Sequence, residues 1–550
     1  MTAAASSDPL GQVLKNLSLI ALSLTFLPLD TAILLACYAY QRLLGRPARD
    51  PLPPPPTGDQ HQHTPPPRPT RTILVTGVGM TKGLALARLF HRQGHRVLGA
   101  DFSPLAAGSR SRALASYHVL ARPSAAPGGA DPYLDSVLRI VRSQNVDLWV
   151  SCSGVGSAVE DGVVKEVVEA RTACRAVQFD VAATRTLHEK DAFMNHTRDV
   201  AGLPVPESYL VTSRNEMIAA LEDAAGLSLS SSPPSSVPSS DENDKTMTSQ
   251  KSSDNSKKKK KRFIAKAVGL NDRGRADMTL LPLPTEKQTY DFVYRLEWLG
   301  MSDKQPWLLQ EFIDGDEFCT HSLVVRGQVR AFVACRSAEL LMHYAALPAG
   351  SALSRAMLEF TRAQAASFGD RFTGHLSFDF MVDRADVKAE KPEQITLYPI
   401  ECNPRAHTAV ALFGDTPELV GQYLAVLDGD GDGAGDGAGA GDGAADPGVV
   451  TPQEPGERYY WIGHDLVTLF LLPTLRLLLL RTSLREYVRS VWAFAEHVLF
   501  WKDGTFEVWD PLPAWWLYHV YWPMTFWDCL VNGRSWSRMN VSTTKMFECD

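Results

Sequence analysis

Apolar residues are distributed very unevenly along the chain, and the shape of each run predicts a different element. From Asn16 to Tyr38 the sequence is nearly continuous apolar, interrupted by Pro28 and Asp30. About 20 such residues suffice to cross a bilayer, so one transmembrane helix is expected. A kinked or interfacial segment is the alternative, because an aspartate at mid-bilayer costs a few kcal/mol. A core helix is the bland reading, and the length of the run and its weak basic start argue against a cleaved signal. Lys15 precedes the segment, whereas Arg42, Arg46 and Arg49 follow it, which points the C-terminal bulk to the cytosol.

Short, strand-like runs begin at Arg71. Thr72–Thr76 leads into the turn Gly77-Val-Gly79-Met-Thr-Lys-Gly83, an amphipathic helix follows over 84–93, and His95–Asp101 is the next strand. Val146–Ser151 adds another, followed by the turn at Gly154 and Gly156. Strands separated by helices predict a doubly wound parallel sheet, and the strand, glycine turn, helix, strand and acid series fits a dinucleotide-binding fold. After Asp180 the texture changes. A helix opens at Leu187-His-Glu-Lys190, and strands are expected at 208–211, 262–268, 307–313, 377–381 and 398–403. Near the C-terminus, Val467–Leu480 is apolar but short for a span, and Trp509–Trp527 is crowded with Trp, Tyr and Pro. That tail is expected to be a monotopic or re-entrant membrane-binding unit partnering the N-terminal helix, with a second buried core as the alternative.

Between these runs lie segments that cannot bury a core. Pro51–Thr70 is Pro-rich, Leu227–Lys261 is Ser/Pro-rich and ends in five consecutive lysines, and Gly429–Ala445 repeats Gly, Asp and Ala. They are expected as a spacer, a surface-loop insertion and a flexible linker. The expected divisions are therefore 1–45, 46–70, 71–180, 181–426, 427–455 and 456–550. Composition changes the picture little. With 45% hydrophobic and 21% charged residues the chain can build a good core, and a net charge of −7 gives no reason to expect nucleic acid. The eight cysteines form no C-x-x-C pair, so reduced buried thiols are expected.

The chemistry concentrates between Leu308 and Arg405. Gln310-Glu311-Phe312-Ile313 ends a strand in a hinge whose backbone can read an adenine edge while Phe312 and Ile313 cover the ring. Glu317, past the Gly315 turn, can accept ribose hydroxyls. Asp379 sits between Phe378 and Phe380 in an apolar strand; Glu401, Asn403 and Arg405 recur at period two in another. Two carboxylates and an amide oxygen are hard ligands suited to Mg²⁺, and Arg405 extends the same face toward an anion. A charged strand edge is the competing reading, but it accounts poorly for an acid flanked by two phenylalanines. Upstream, Lys266 interrupts an apolar strand ahead of a turn bearing Arg273 and Arg275, which suits polyphosphate by charge and donors.

Together Lys190, Lys266, Gln310–Ile313, Glu317 and Asp379…Glu401-Cys-Asn403-Pro-Arg405 resemble the ATP-grasp ligases. More closely, Thr76–Lys82, Gln310–His321, His375–Phe380 and Glu401–Thr408 look like the mycosporine-glycine synthase family. The resemblance implies a Rossmann-like leader domain, an α+β ATP-grasp fold, and helical membrane-associated ends. It implies Lys190 and Lys266 on ATP phosphates, Gln310, Glu311, Phe312 and Ile313 on adenine, and Glu317 on ribose. Asp379, Glu401 and Asn403 would hold Mg²⁺, with Mn²⁺ as the alternative ion, and Arg405 would stabilise a phosphorylated intermediate. A cyclohexenone-type acceptor, 4-deoxygadusol, and an amino acid, glycine, are the implied substrates. Cys319, His321 and His407 match the same family without an assigned task; His321 reads equally as a substrate contact or a satisfied strand histidine. Two departures stand out: the turn after Lys266 is poor in glycine, and the Ser/Lys insertion is extra. Two other classes compete, an NAD(P) reductase using the glycine-rich unit Arg71–Asp101 and a nucleotide-binding pseudo-ligase adaptor at a membrane.

Overall fold

A computed structural model describes residues 9–43, 69–123, 131–225, 261–267, 278–337, 342–428 and 448–549. The Pro-rich spacer up to residue 68, the Ser/Lys insertion over 226–260, the arginine-bearing turn at 268–277 and the Gly/Asp/Ala stretch lie outside them. The chain forms two compact units. One comprises Met1–His188, Ala192–Pro204 and Gly315–Asp550; the other comprises Glu189–Asp191 and Val205–Asp314.

The larger unit contains the expected doubly wound sheet. Strands β1 (Thr72–Thr76), β2 (Arg96–Asp101), β3 (Ser116–Val119), β4 (Leu148–Ser151) and β5 (Arg175–Val177) pair in parallel in the order β3-β2-β1-β4-β5. Their side chains alternate between two cores: Ile73, Val75 and Val150 enter one, and Leu74, Leu98 and Trp149 the other. Both faces are covered, which is why these strands read as unbroken apolar runs. Gly77 ends β1 at φ +76°, where a Cβ would meet the Cys152 carbonyl oxygen at 2.5 Å, so only glycine fits the turn.

That turn does not present a dinucleotide site. The N–H of Gly79 donates to Asp101 Oδ2 at 2.8 Å, and the N–H of Thr81 donates to the Ser542 carbonyl at 2.9 Å. These are the donors a pyrophosphate would take at a helix N-terminus, and the chain consumes them itself. Those two donors are therefore not open to a dinucleotide.

The smaller unit carries an antiparallel sheet of β6 (Ser208–Val211), β7 (Phe263–Ala267) and β8 (Trp307–Glu311) in the order β6-β8-β7. Helices Arg214–Ala225 and Glu286–Trp298 accompany it, the latter capped by Thr285 accepting from the Gln288 N–H. Its core is its own, built on Phe263, Trp307, Leu309, Val293 and Leu296.

In the larger unit again, β9 (Gly315–Val325), β10 (Gln328–Arg336), β12 (Gly374–Asp383) and β13 (Leu397–Asn403) form an antiparallel sheet ordered β10-β9-β12-β13. Short strands β11 (Tyr344–Ala345), β14 (Arg458–Tyr460) and β15 (Lys502–Asp503) make a third sheet, and β16 (Ser535–Asn540) with β17 (Lys545–Cys549) a hairpin. Helix Ala352–Ala366, capped by Ser351, lies on the four-stranded sheet with Phe360 against Phe378 and Phe380 at 5.4 and 4.9 Å. Cys37, Cys152, Cys174, Cys319, Cys335, Cys402 and Cys529 are free and buried.

The aromatic tail proves two-faced. Trp461, Trp522, Phe526 and Trp536 are buried in the same core as Ile73 and Val75 of β1. Fully buried Asp510 accepts from Arg88 Nε at 2.9 Å, the Ser111 hydroxyl at 2.6 Å and the Arg112 N–H at 2.9 Å. Other apolar side chains of the tail face outward, among them Leu478, Leu480, Leu484, Trp492 and Phe500. Helix Pro9–Leu43 lies along this tail: Asn16 accepts from the Trp536 indole at 2.9 Å, Thr31 from the Trp515 indole at 3.0 Å, and Gln41 reaches the Val508 carbonyl. Asp30, the residue that makes a simple span costly, pairs with His519 Nε2 at 2.8 Å.

Candidate active site

Strand periodicity builds the site. Phe378 and Phe380 are buried beneath helix Ala352–Ala366, so Asp379 between them lies on the opposite face of β12. Its cross-strand partners are Glu401 on β13 and Cys319 on β9; Glu317 pairs with Met381, two positions along the same face. The register slips between Asp379/Phe380 and Glu401/Pro399, which leaves one extra residue in β13 beside the acids. Asn403 Nδ2 donates to Asp379 Oδ2 at 3.0 Å, and the Arg405 N–H returns to the Asn403 carbonyl at 2.7 Å. One sheet face thus gathers Glu317, Asp379, Glu401, Asn403 and the start of the Arg405 loop. The sequence had grouped Glu317 with the adenine hinge; by strand pairing it is a neighbour of the acids.

This face is electrostatically incomplete. Burial, then repulsion from Glu401 and Glu317, pushes the Asp379 carboxyl up to about 8, against the opposing pull of Arg405. Like-charged carboxylates converging in a partly buried site are what a divalent cation would relieve. Arg405 Nη1 and Ser377 Oγ are buried without a hydrogen-bond partner among the described residues, and burial lowers the Arg405 pKa from its usual value. An unpaired buried guanidinium nitrogen is a strong donor lacking an acceptor, which suits an anionic group. The donor set therefore fits a hard cation beside an anion.

The loop after β13 is fixed from below. Lys82 Nζ donates to the Ser153 carbonyl at 2.9 Å and the Ala406 carbonyl at 2.8 Å, joining the glycine turn to the Arg405 loop. Burial and the neighbouring Arg405 pull the Lys82 pKa down to about 7. His321 Nδ1 accepts the His407 N–H at 3.2 Å, and His407 Nδ1 accepts the Ala409 N–H at 3.3 Å as a helix cap. His375 bridges the Ser151 carbonyl at 3.1 Å and the Tyr423 hydroxyl at 2.8 Å. Burial lowers the pKa of all three histidines, so they are neutral supports of the loop. His321 thus holds the His407 backbone through Nδ1. Lys82 was visible in the sequence only as one letter of a glycine-rich turn, and nothing there indicated its partners.

The remaining expected residues lie in the smaller unit. Lys266 Nζ donates to Gln310 Oε1 at 2.9 Å, and Gln310 Nε2 donates to Ser208 Oγ at 3.3 Å across β7, β8 and β6. The N–H groups of Glu311 and Phe312 are engaged by the Glu207 and Arg262 carbonyls at 2.8 and 2.7 Å. They are committed to the sheet, which restricts the hinge's backbone reading to its other groups. Glu311 also pairs with Lys261 at 3.2 Å. Lys190 begins the helix Lys190–Asp199 and belongs to this unit.

No family model and no curated protein matches the chain. Among solved structures, a biotin carboxylase complex from Campylobacter jejuni aligns with TM-score 0.42 and 12% identity over 65% of this chain and 71% of that one. An L-amino acid ligase from Bacillus licheniformis aligns with TM-score 0.39 and 13% identity over 65% and 75%. A phosphoribosylamine–glycine ligase from Thermotoga maritima aligns with TM-score 0.39 and 16% identity over 65% and 74%. Similarity at that level decides neither family nor activity.

Proposed function

We propose that the protein is an ATP- and Mg²⁺-dependent ligase of the ATP-grasp class. The observation that carries this reading is the face on which Asp379 and Glu401 are cross-strand partners, Asn403 is bonded to Asp379, and Arg405 keeps a buried guanidinium nitrogen without a partner among the described residues. Asp379, Glu401 and Asn403 would hold the cation, which supplies neutralisation of phosphate charge when bound. Lys190 and Lys266 serve the ATP phosphates, Gln310–Ile313 the adenine, and Glu317 the ribose. Arg405 meets charge developing on the transferred phosphoryl group.

Within that class, the reaction we assign is the joining of 4-deoxygadusol to glycine. The γ-phosphoryl passes from ATP to the acceptor's enol oxygen, releasing ADP. The glycine amine then attacks the carbon bearing that oxygen; the C–N bond forms, the C–O bond breaks, and phosphate leaves with the electron pair. Phosphorylation is needed because an enolate oxygen is a poor leaving group. Support for these substrates is the motif resemblance running from Thr76–Lys82 to Glu401–Thr408. A carboxylate–amine ligase passing through an acyl phosphate is the second reading, because the same residues would serve it.

We further propose attachment to one leaflet of a membrane, with the catalytic units on the cytosolic side. Helix Pro9–Leu43 is long and apolar enough to cross a bilayer, yet it bonds to the C-terminal tail at positions from Asn16 to Gln41. A helix held along its length in this way favours lying in the interface, and the leucines of 475–484 are also exposed. The deciding experiment incubates the full chain with ATP, Mg²⁺, 4-deoxygadusol and glycine and measures ADP and a new ultraviolet-absorbing product. ADP release with only a different acid and amine retains the class and removes the substrates. No amine-dependent ADP release with any such pair removes the class.

A further inference from the structure

Away from the acids of β12 and β13, three histidines converge on one carboxylate. Asp465, fully buried at the end of helix Ile462–Asp465, receives His343 Nε2 at 2.9 Å, His464 Nδ1 at 3.0 Å and His497 Nδ1 at 2.6 Å. Each histidine side chain is 12–14% exposed, whereas Asp465 is 0% exposed. The His343 and His497 rings lie 4.6 Å apart, and Trp501 packs against both at 5.9 and 4.6 Å. Trp501 and Tyr460 also line an apolar cavity of about 540 Å³, so the cluster sits beside low-dielectric material.

We infer that His343, His464 and Asp465 form a three-ligand site for a divalent transition metal of the zinc type, with His497 holding the second carboxylate oxygen. Two imidazoles and one carboxylate are donors such an ion takes, and a tetrahedral shell keeps its fourth position for water or another exogenous ligand. In that shell, metal–ligand bonds of about 2.0 Å put ligand atoms roughly 3.3 Å apart. The His343 and His464 N···O separations of 2.9 and 3.0 Å fall a few tenths of an ångström short, and the His343, His464 and Asp465 donor atoms all lie within 4.8 Å of one another. A hydrogen-bond hub is the competing arrangement; it satisfies the carboxylate's lone pairs, and a dication would in addition neutralise its buried charge.

The placement gives the ion a task. His343 adjoins β11, His464 and Asp465 precede the helical run 466–478, and His497 lies in the last turn of helix Leu484–Phe500. The three ligands, with His497 on Asp465, therefore close the base of a helical hairpin whose outward residues include Leu478, Leu480, Trp492 and Phe500 at 69–91% exposure. A metal there would fasten this apolar hairpin to the sheet of β11, β14 and β15.

The test uses the full chain in detergent, purified without chelator, and measures metal by mass spectrometry. One equivalent of zinc-type metal per chain is expected, retained in Asp379→Ala and reduced to background in the His464→Ala, His497→Ala double variant. Because that variant can misfold, wild-type protein stripped of metal is also titrated with Co²⁺. Intense visible d–d bands saturating at one equivalent, and a melting temperature raised by several degrees on adding Zn²⁺, support the site. Stripped wild-type protein that takes up no Zn²⁺ and yields no such bands overturns it, as does metal lost equally in Asp379→Ala. None of these readouts depends on ligase activity.

Discussion

At the scale of single residues, the site turns on a carboxylate whose charge is opposed by its neighbours. Burial, Glu401 and Glu317 raise the Asp379 pKa to about 8, well above its value of 3.8 in an exposed chain. Without a cation, the folded state therefore holds a proton there that the unfolded state has lost between pH 4 and 8. The stability contributed by that proton is full below pH 4 and lost as pH rises through 8. Mg²⁺ must displace the same proton, so its affinity should weaken by about tenfold per pH unit below 8. Calorimetric titration of Mg²⁺ at pH 6, 7 and 8 checks this, and Asp379→Ala should abolish the Mg²⁺ binding itself. Arg405→Ala should lower kcat by about 10²–10³, the usual cost of removing a preorganised donor to developing charge. Arg405→Lys should recover little of it, since an ammonium cannot reproduce the planar fork; steady-state ADP release measures both.

Among elements, the decisive connections join segments far apart in sequence. Asp510 accepts from Arg88, Ser111 and the Arg112 backbone, and its side chain and that of Arg88 are 0% and 7% exposed. Removing one partner strands a buried charge, so Asp510→Ala should cost about 3–5 kcal/mol. Asp528, half exposed beside Arg534, is the control: Asp528→Ala should cost less than about 1 kcal/mol. Denaturant unfolding of both variants makes the comparison. Lys82 works the same way, tying the turn after β1 to the loop after β13. Its partners, the Ser153 and Ala406 carbonyls, lie 71 and 324 residues away, a distance no local pattern encodes.

For the whole molecule, the outward apolar surface of the tail and N-terminal helix is the feature that a soluble protein would avoid. Replacing Leu478, Leu480, Trp492 and Phe500 together by Gln should shift the protein from liposome-bound to free in flotation, with ADP release retained. These side chains are exposed, so their loss uncovers no core. Deleting residues 1–45 is a harsher probe, because Leu19 and Ile20 pack against the main core and Asn16 holds the Trp536 indole.

The sequence alone determined what depends on local period and composition. Alternation put Glu401 and Asn403 on one strand face, the strand, glycine turn and helix series predicted the parallel sheet, and Pro-, Ser- and Gly-rich stretches marked segments unable to bury a core. Those signals are legible because side-chain direction repeats every two residues in a strand and nearly every four in a helix. Only tertiary structure decided which strands pair, and with that the meeting of Asp379 with Glu401, Cys319 and, along the strand, Glu317. It alone showed that Gly79 and Thr81 spend their donors inside the chain, and that His321 supports a loop. It alone brought His343 and His497 to Asp465 from 122 and 32 residues away. Such contacts are bought with long-range burial and buried charge, and no short stretch of sequence carries either.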